Sequence, residues 1–196
     1  MSLKRALIAV AVVALAALLV VGLVGLSGSS GGGGGPVRVN VAQMRSRLDG
    51  SPPALAALHT QAGEILDGGL PALRSRLAAL RGEPVVINKW ASWCEPCRAE
   101  FGIFQRVSIE RGRAVAFIGI DSGDTRSAAA AFLGSYPLSY PSYFDQSGAA
   151  GLALTDSSFT PVTVFYDRSG RLFIHQGPYP NAQKLERDIE RYALNA

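Results

Sequence analysis

The apolar positions fall into two regimes. From Ala6 to Leu26 no polar side chain interrupts the run, and 21 helical residues at ~1.5 Å each reach ~31 Å, about the thickness of a bilayer's hydrocarbon core. The run predicts a transmembrane anchor over residues 6–26. Lys4 and Arg5 on its leading flank favour a cytoplasmic tail over residues 1–5 and an extracytoplasmic remainder. A cleaved signal peptide fits less well, because the run exceeds a usual signal core and no Ala-x-Ala site follows, although small residues at Gly25 to Ser30 leave cleavage open. No Cys follows the segment for lipid attachment.

Beyond it the pattern becomes one of short blocks. Residues 27–36, Ser-Gly-Ser-Ser-Gly-Gly-Gly-Gly-Gly-Pro, form a flexible linker with a root-mean-square reach of roughly 17 Å. Residues 37–82 read as a partly helical extension broken at Pro52-Pro53 and Gly68-Gly69, with Leu70, Leu73, Leu77 and Leu80 on one helical face. From residue 83 to 196 strands and helices alternate. Pro84–Trp90 predicts a buried strand, Glu95 to about Ile109 a helix, and Ala114–Ile120 a second buried strand. Thr125 to about Ser135 is an Ala-rich helix entered through Asp124 as N-cap, and Gln146–Leu154 a short helix after the Pro137–Pro141 loop. Val162–Tyr166, the turn Asp167–Gly170 and Arg171–His175 make a β-hairpin, and Asn181 caps a closing helix with Leu185, Ile189 and Tyr192 inward. The predicted order is βαβαββα, an α/β fold whose mixed central sheet pairs parallel first and antiparallel last.

With 196 residues, 48% of them apolar, one domain has core enough to fold without a structural disulfide. The chain carries 19 Lys and Arg against 15 Asp and Glu, and Lys4 and Arg5 precede the apolar run. The surplus left to the domain is too small to point to nucleic acid.

The candidate chemistry sits in Trp90-Ala-Ser-Trp-Cys94-Glu-Pro-Cys97, which holds both cysteines of the chain between a predicted strand and a predicted helix. Thiols three positions apart at a helix start can close a disulfide with little backbone movement, and unpaired N–H groups there favour the outer thiolate. Cys94 is expected to be the more exposed, attacking sulfur, and Cys97, a turn inward, the resolving one. No metal is expected: a zinc site needs about four ligands, and the two histidines, His59 and His175, stand far off in sequence. A c-type haem would need His directly after the second Cys, where Arg98 stands. A static disulfide remains the bland alternative. Glu100, three positions past Cys97, shares its helical face and could exchange a proton with the inner thiol, or be an ordinary first-turn carboxylate. Glu95 adds negative charge beside Cys94, opposing thiolate formation, and Pro96 lies between the sulfurs.

Gly82-Glu-Pro-Val-Val-Ile-Asn-Lys-Trp-Ala-Ser-Trp-Cys-Glu-Pro-Cys-Arg-Ala-Glu100, with Phe159-Thr160-Pro161 ahead of a strand, resembles the thioredoxin superfamily, nearest its membrane-anchored TlpA/ResA/CcmG-like branch in bacterial cytochrome c maturation. The resemblance covers about residues 82–194 and implies a three-layer thioredoxin-like domain on the outer side of a bacterial cell membrane. It departs upstream, where the family usually shows a β-hairpin and residues 53–81 read as helical. It also implies that Thr160-Pro161 is cis and faces the dithiol, with Trp93, Thr160 and Pro161 facing substrate. Asn88 occupies the place of a buried Asp in cytoplasmic thioredoxins, where an amide cannot accept the proton. The implied activity is thiol-disulfide exchange through Cys94 and Cys97 without a further cofactor. Its expected partners are protein disulfides, such as those of apocytochrome c, and a membrane electron donor or acceptor. An oxidase of exported proteins is the alternative within this chemistry, and a non-catalytic tethered binding module the alternative outside it.

Overall fold

The computed structural model describes residues 40–195, all within one unit, Gly34–Ala196. The expected tail, anchor and linker lie outside the described residues, among which no helix is long and apolar enough to cross a membrane.

Residues of the extension form α1 (Val41–Arg47), α2 (Pro53–His59), the two-residue β1 (Ile65–Leu66) and α3 (Gly69–Ala79). Then follow β2 (Val85–Trp90), α4 (Glu95–Arg111), β3 (Ala116–Ser122), α5 (Arg126–Ser135), β4 (Ser142–Asp145), α6 (Ala149–Thr155), β5 (Val162–Tyr166), β6 (Leu172–Gln176), α7 (Ala182–Ile189) and a π-helical turn, Glu190–Leu194. The strands make one sheet in the order β1-β4-β3-β2-β5-β6. β2 is central, parallel to β3 and antiparallel to β5.

Every residue of β2 and β3 is buried, as near-continuous apolar strands covered on both faces must be. Alternation sends Val86 and Trp90 to one face, with Phe101 and Phe104 of α4, Phe132 of α5 and Leu185 and Ile189 of α7. Val85 and Ile87 go to the other, with Leu55 and Leu58 of α2, Leu73 of α3 and Ala150 of α6. The result is a three-layer α/β sandwich of thioredoxin type.

The observed order corrects the expected βαβαββα by two strands. Ser142–Asp145 takes a sheet position between β1 and β3, although no element was expected between the Pro137–Pro141 loop and the helix after it. Its backbone completes a ladder, Ser142 N–H donating to Glu64 O at 2.9 Å and Gly119 N–H to Pro141 O at 2.8 Å. β3 begins two residues later than expected, because the N–H groups of Ala114 and Val115 both donate to Arg111 O and finish α4. The expected cap Asp124 is not the cap: Thr125 accepts from Ala128 N–H and starts α5. The short helix starts at Ala149 rather than Gln146, after a turn closed by Gly148 N–H to Asp145 O and a left-handed Gly148 at φ 75°.

Candidate functional site

β2 delivers the chain to one end of the sheet, and four residues, 91–94, separate the end of that strand from the start of α4. Cys94 is the N-cap of α4: its Sγ accepts the N–H of Cys97 at 3.2 Å. Glu95 and Pro96 fill the first turn, where a proline forfeits no helical hydrogen bond. The two sulfurs are joined at 2.05 Å, with Cα atoms 5.3 Å apart. Cys97 is fully buried and Cys94 is only 3% exposed, so the outer sulfur is the more accessible by a narrow margin. Beside it stands the Thr160–Pro161 peptide, which is cis, with Thr160 O 3.6 Å from Cys94 Sγ. Trp93 is 64% exposed, its indole N–H donating to Gly123 O at 2.9 Å.

Beneath the disulfide, Glu100 is fully buried. Its Oε1 accepts from Asn88 Nδ2 at 3.2 Å and its Oε2 from Tyr179 N–H at 2.8 Å. Burial pushes its pKa up to about 8, against the pull of those two hydrogen bonds. Glu100 and Asn88 are therefore brought together, while Asn88 Oδ1 stays buried without a partner. The side chain of Glu95 is 91% exposed and 4.0 Å from Arg98 Nε, out in solvent where its charge is screened.

Residues 73–187 match the Redoxin family model. The chain belongs to the Redoxin family. Among its relatives, the thiol-disulfide oxidoreductase ResA of Bacillus subtilis is 28% identical over 100 residues, 50% of this chain and 55% of that protein. The thiol:disulfide interchange protein DsbE of Pseudomonas fluorescens is 35% identical over 94 residues, 47% of this chain and 51% of that protein. The chain thus spans about half the length of these two curated relatives. A solved structure assigned as a thiol:disulfide interchange protein DsbE from Chlorobium tepidum matches with a TM-score of 0.53 at 25% identity, covering 59% of this chain and 83% of that one.

Within this redoxin domain, four side chains to which the sequence assigned no part in the site lie on the segments around the sulfurs, Asp124 having been expected only as a helix cap. Asp124 accepts Ser92 N–H on Oδ2 at 2.6 Å and Thr125 N–H on Oδ1 at 2.7 Å, and those bonds hold its carboxyl below the usual range. Ser92 is gripped from its other side as well, its carbonyl accepting from Arg98 Nη1 at 2.9 Å. The two peptide groups that flank Ser92 Cα, two residues before Cys94, are thereby held, one by a carboxylate and the other by a guanidinium. Asp121, at the end of β3, is fully buried with both carboxyl oxygens unpartnered. Burial, with the Asp124 carboxylate alongside, pushes it up to about 8. Phe159 is 74% exposed immediately before Thr160. Lys89 is buried within β2 and reaches the segment leading to Phe159. In the sequence Asp124 carried a signal only as a capping side chain, and Lys89 as a charge inside an otherwise apolar strand.

Among the described residues no group of three or more His, Cys, Asp or Glu side chains is arranged to hold a metal ion. His175 stacks on Tyr179 at 4.3 Å between ring centroids, and His59 packs at Gly112 beyond the far end of α4.

Proposed function

We propose that this protein is a membrane-tethered, extracytoplasmic thiol-disulfide oxidoreductase that reduces protein disulfides. The observation that carries the reading is the Cys94–Cys97 pair at the start of α4, with the Thr160 carbonyl 3.6 Å from the outer sulfur. Kinship to proteins named as thiol-disulfide oxidoreductase and thiol:disulfide interchange protein supports it. Residues 6–26 supply the tether and residues 27–36 the linker, with the domain outside a bacterial cell membrane.

In the reduced protein the Cys94 thiolate attacks one sulfur of a substrate disulfide, forming a mixed disulfide and releasing the first substrate thiolate. The Cys97 thiolate then attacks Cys94 Sγ, closing the Cys94–Cys97 bond and releasing the second. Two electrons pass to the substrate, and its two thiolates take up protons. Cys94 is the attacking group because it caps the helix, where N–H donors stabilise its charge. Glu100, three residues beyond Cys97, exchanges a proton with the inner thiol, and Asn88 orients its carboxyl by the 3.2 Å hydrogen bond. Trp93, Thr160 and Pro161 meet the substrate backbone, with Pro96 shaping the first turn between the sulfurs. Apocytochrome c is the substrate that the family resemblance implies, and a membrane dithiol donor returns the pair to its reduced form.

Insulin reduction by the full chain in detergent, with dithiothreitol as donor, tests the reading. Activity in the wild type that Cys94→Ser abolishes is expected; equal turnover by both proteins overturns it. A reduction potential near −270 mV fits a reductase, and one near −120 mV reverses the direction to oxidation.

A further inference from the structure

The exchange chemistry leaves one buried charge on β2 unused. Lys89 is 2% exposed, and among the described residues it forms no ion pair with a carboxylate. The nearby Asp145 carboxylate is committed to the N–H groups of Ala150 and Gly151 and to the Ser122 hydroxyl. An ammonium taken out of water without a counter-ion is unfavourable unless a strong acceptor meets it. Here that acceptor is a backbone carbonyl, Ser157 O, at 2.6 Å from Lys89 Nζ.

The carbonyl chosen is informative. The Thr155 hydroxyl, 3.1 Å from Ser157 O, gives its one proton to the nearer Gly151 O at 2.7 Å, leaving Lys89 as the donor to Ser157 O, and the Ser157 hydroxyl accepts Phe159 N–H at 3.1 Å. Asp156, between them, sits in the left-handed region at φ 48°, where a residue with a side chain needs its neighbours to hold it. This turn ends in Phe159, left in solvent, and Thr160, whose carbonyl lies against Cys94 Sγ. The stem of Lys89 passes under α6 at Gly151, where an added Cβ would lie 2.7 Å from Lys89 Cε. One amine thus ties the strand that leads to the cysteines to the segment facing them.

We propose that Lys89 is a positioning residue: through Ser157 it sets the placement of Phe159 and Thr160, and with it the affinity for an extended substrate segment carrying an apolar residue beside its cysteine. The inference rests on the exchange reading above. It assigns Lys89 no part in sulfur chemistry.

The test is insulin reduction by the full chain in detergent with dithiothreitol as donor, at a temperature where circular dichroism shows each variant folded. Lys89→Met keeps the stem and removes the donor; KM should rise roughly tenfold, the weight of a hydrogen bond to a charged group, while kcat stays within about twofold. Phe159→Ala should raise KM in the same way, and the double variant should be no worse than the more damaged single, as expected of residues acting through one contact. A KM within about twofold of wild type, a fall in kcat alone, or additive effects in the double variant would each overturn the proposal. If Lys89→Met does not fold, Ser157→Ala carries the test by removing the acceptor of Phe159 N–H. A rise in KM of about threefold supports the proposal and an unchanged KM overturns it. Wild type inert toward insulin removes the exchange reading and this inference together; an active wild type matched by Lys89→Met removes only this inference.

Discussion

Asn88 and Lys89 are neighbours on β2, yet they look into opposite layers of the sandwich and meet opposite solutions to burial. Asn88 faces α4, where an acid, Glu100, is held by two neutral donors and left without a cation. Lys89 faces α6, where a cation is held by a backbone carbonyl and, among the described residues, forms no ion pair, the nearby Asp145 carboxylate being taken up by other donors. On the first side the carboxyl answers burial by keeping its proton; on the second the ammonium answers with a short bond to backbone. One strand thus buries two polar groups by different means: on the α4 side a carboxyl that burial favours in its neutral form, on the α6 side an amine held by a backbone carbonyl.

The comparison breaks most completely at the sulfurs themselves. Cys94→Ser should lower insulin reduction by more than about a thousandfold, whereas Cys97→Ser should accumulate a mixed disulfide with substrate, seen on non-reducing gels. Trapping by Cys94→Ser in place of Cys97→Ser would reverse the roles of the sulfurs.

The acidic layer is next. The folded-state pKa of Glu100, about 8, lies above its unfolded value, so the native state holds an extra proton between roughly pH 4.5 and 8. The stabilisation is complete below that window and is lost as pH rises through about 8, on the order of a few kcal/mol. Asp121, also pushed up to about 8, acts with the same sign. Urea unfolding at pH 5 and pH 8 should show wild type weaker at pH 8, with Glu100→Gln and Asp121→Asn each removing part of the difference. A wild-type stability that rises across this window would contradict both assignments.

Smaller effects sharpen the picture. Asp124→Ala strips the acceptor from Ser92 N–H and should destabilise the domain by ~1–3 kcal/mol in thermal or urea unfolding, with Asp124→Asn recovering part of the loss. Smallest of all, Glu95→Gln should leave insulin reduction within about twofold of wild type, because a side chain 91% exposed acts through water.

The parts of the fold legible in the sequence are those whose signal is local. Val85-Val86-Ile87 and Ala116–Ile120 are runs of apolar residues, and Asn181 announces α7 by its cap, accepting Lys184 N–H at 2.9 Å. β4 and β1 have no such signal. Ser142–Asp145 is four residues long and begins directly after Pro141, and Ile65–Leu66 is a strand only because β4 lies beside it, so both depend on partners distant in the chain. The site divides the same way. Cys94, Cys97 and Glu100 follow from spacing on one helix. Asp124 was legible as a capping side chain, but the group it satisfies is Ser92 N–H, 32 residues earlier, and no local pattern encodes that reach. Phe159 is conspicuous only once its exposure is known.

Gly151 extends this separation of cause from effect. It lies on a helix that touches neither sulfur, and a methyl group there would meet Lys89 Cε at 2.7 Å and Ser122 Oγ at 2.8 Å. The absence of one carbon atom on α6 therefore leaves room for the amine that holds the segment facing Cys94. Gly151→Ala would be registered eight and nine residues downstream, at Phe159 and Thr160, as a misfit between protein and client.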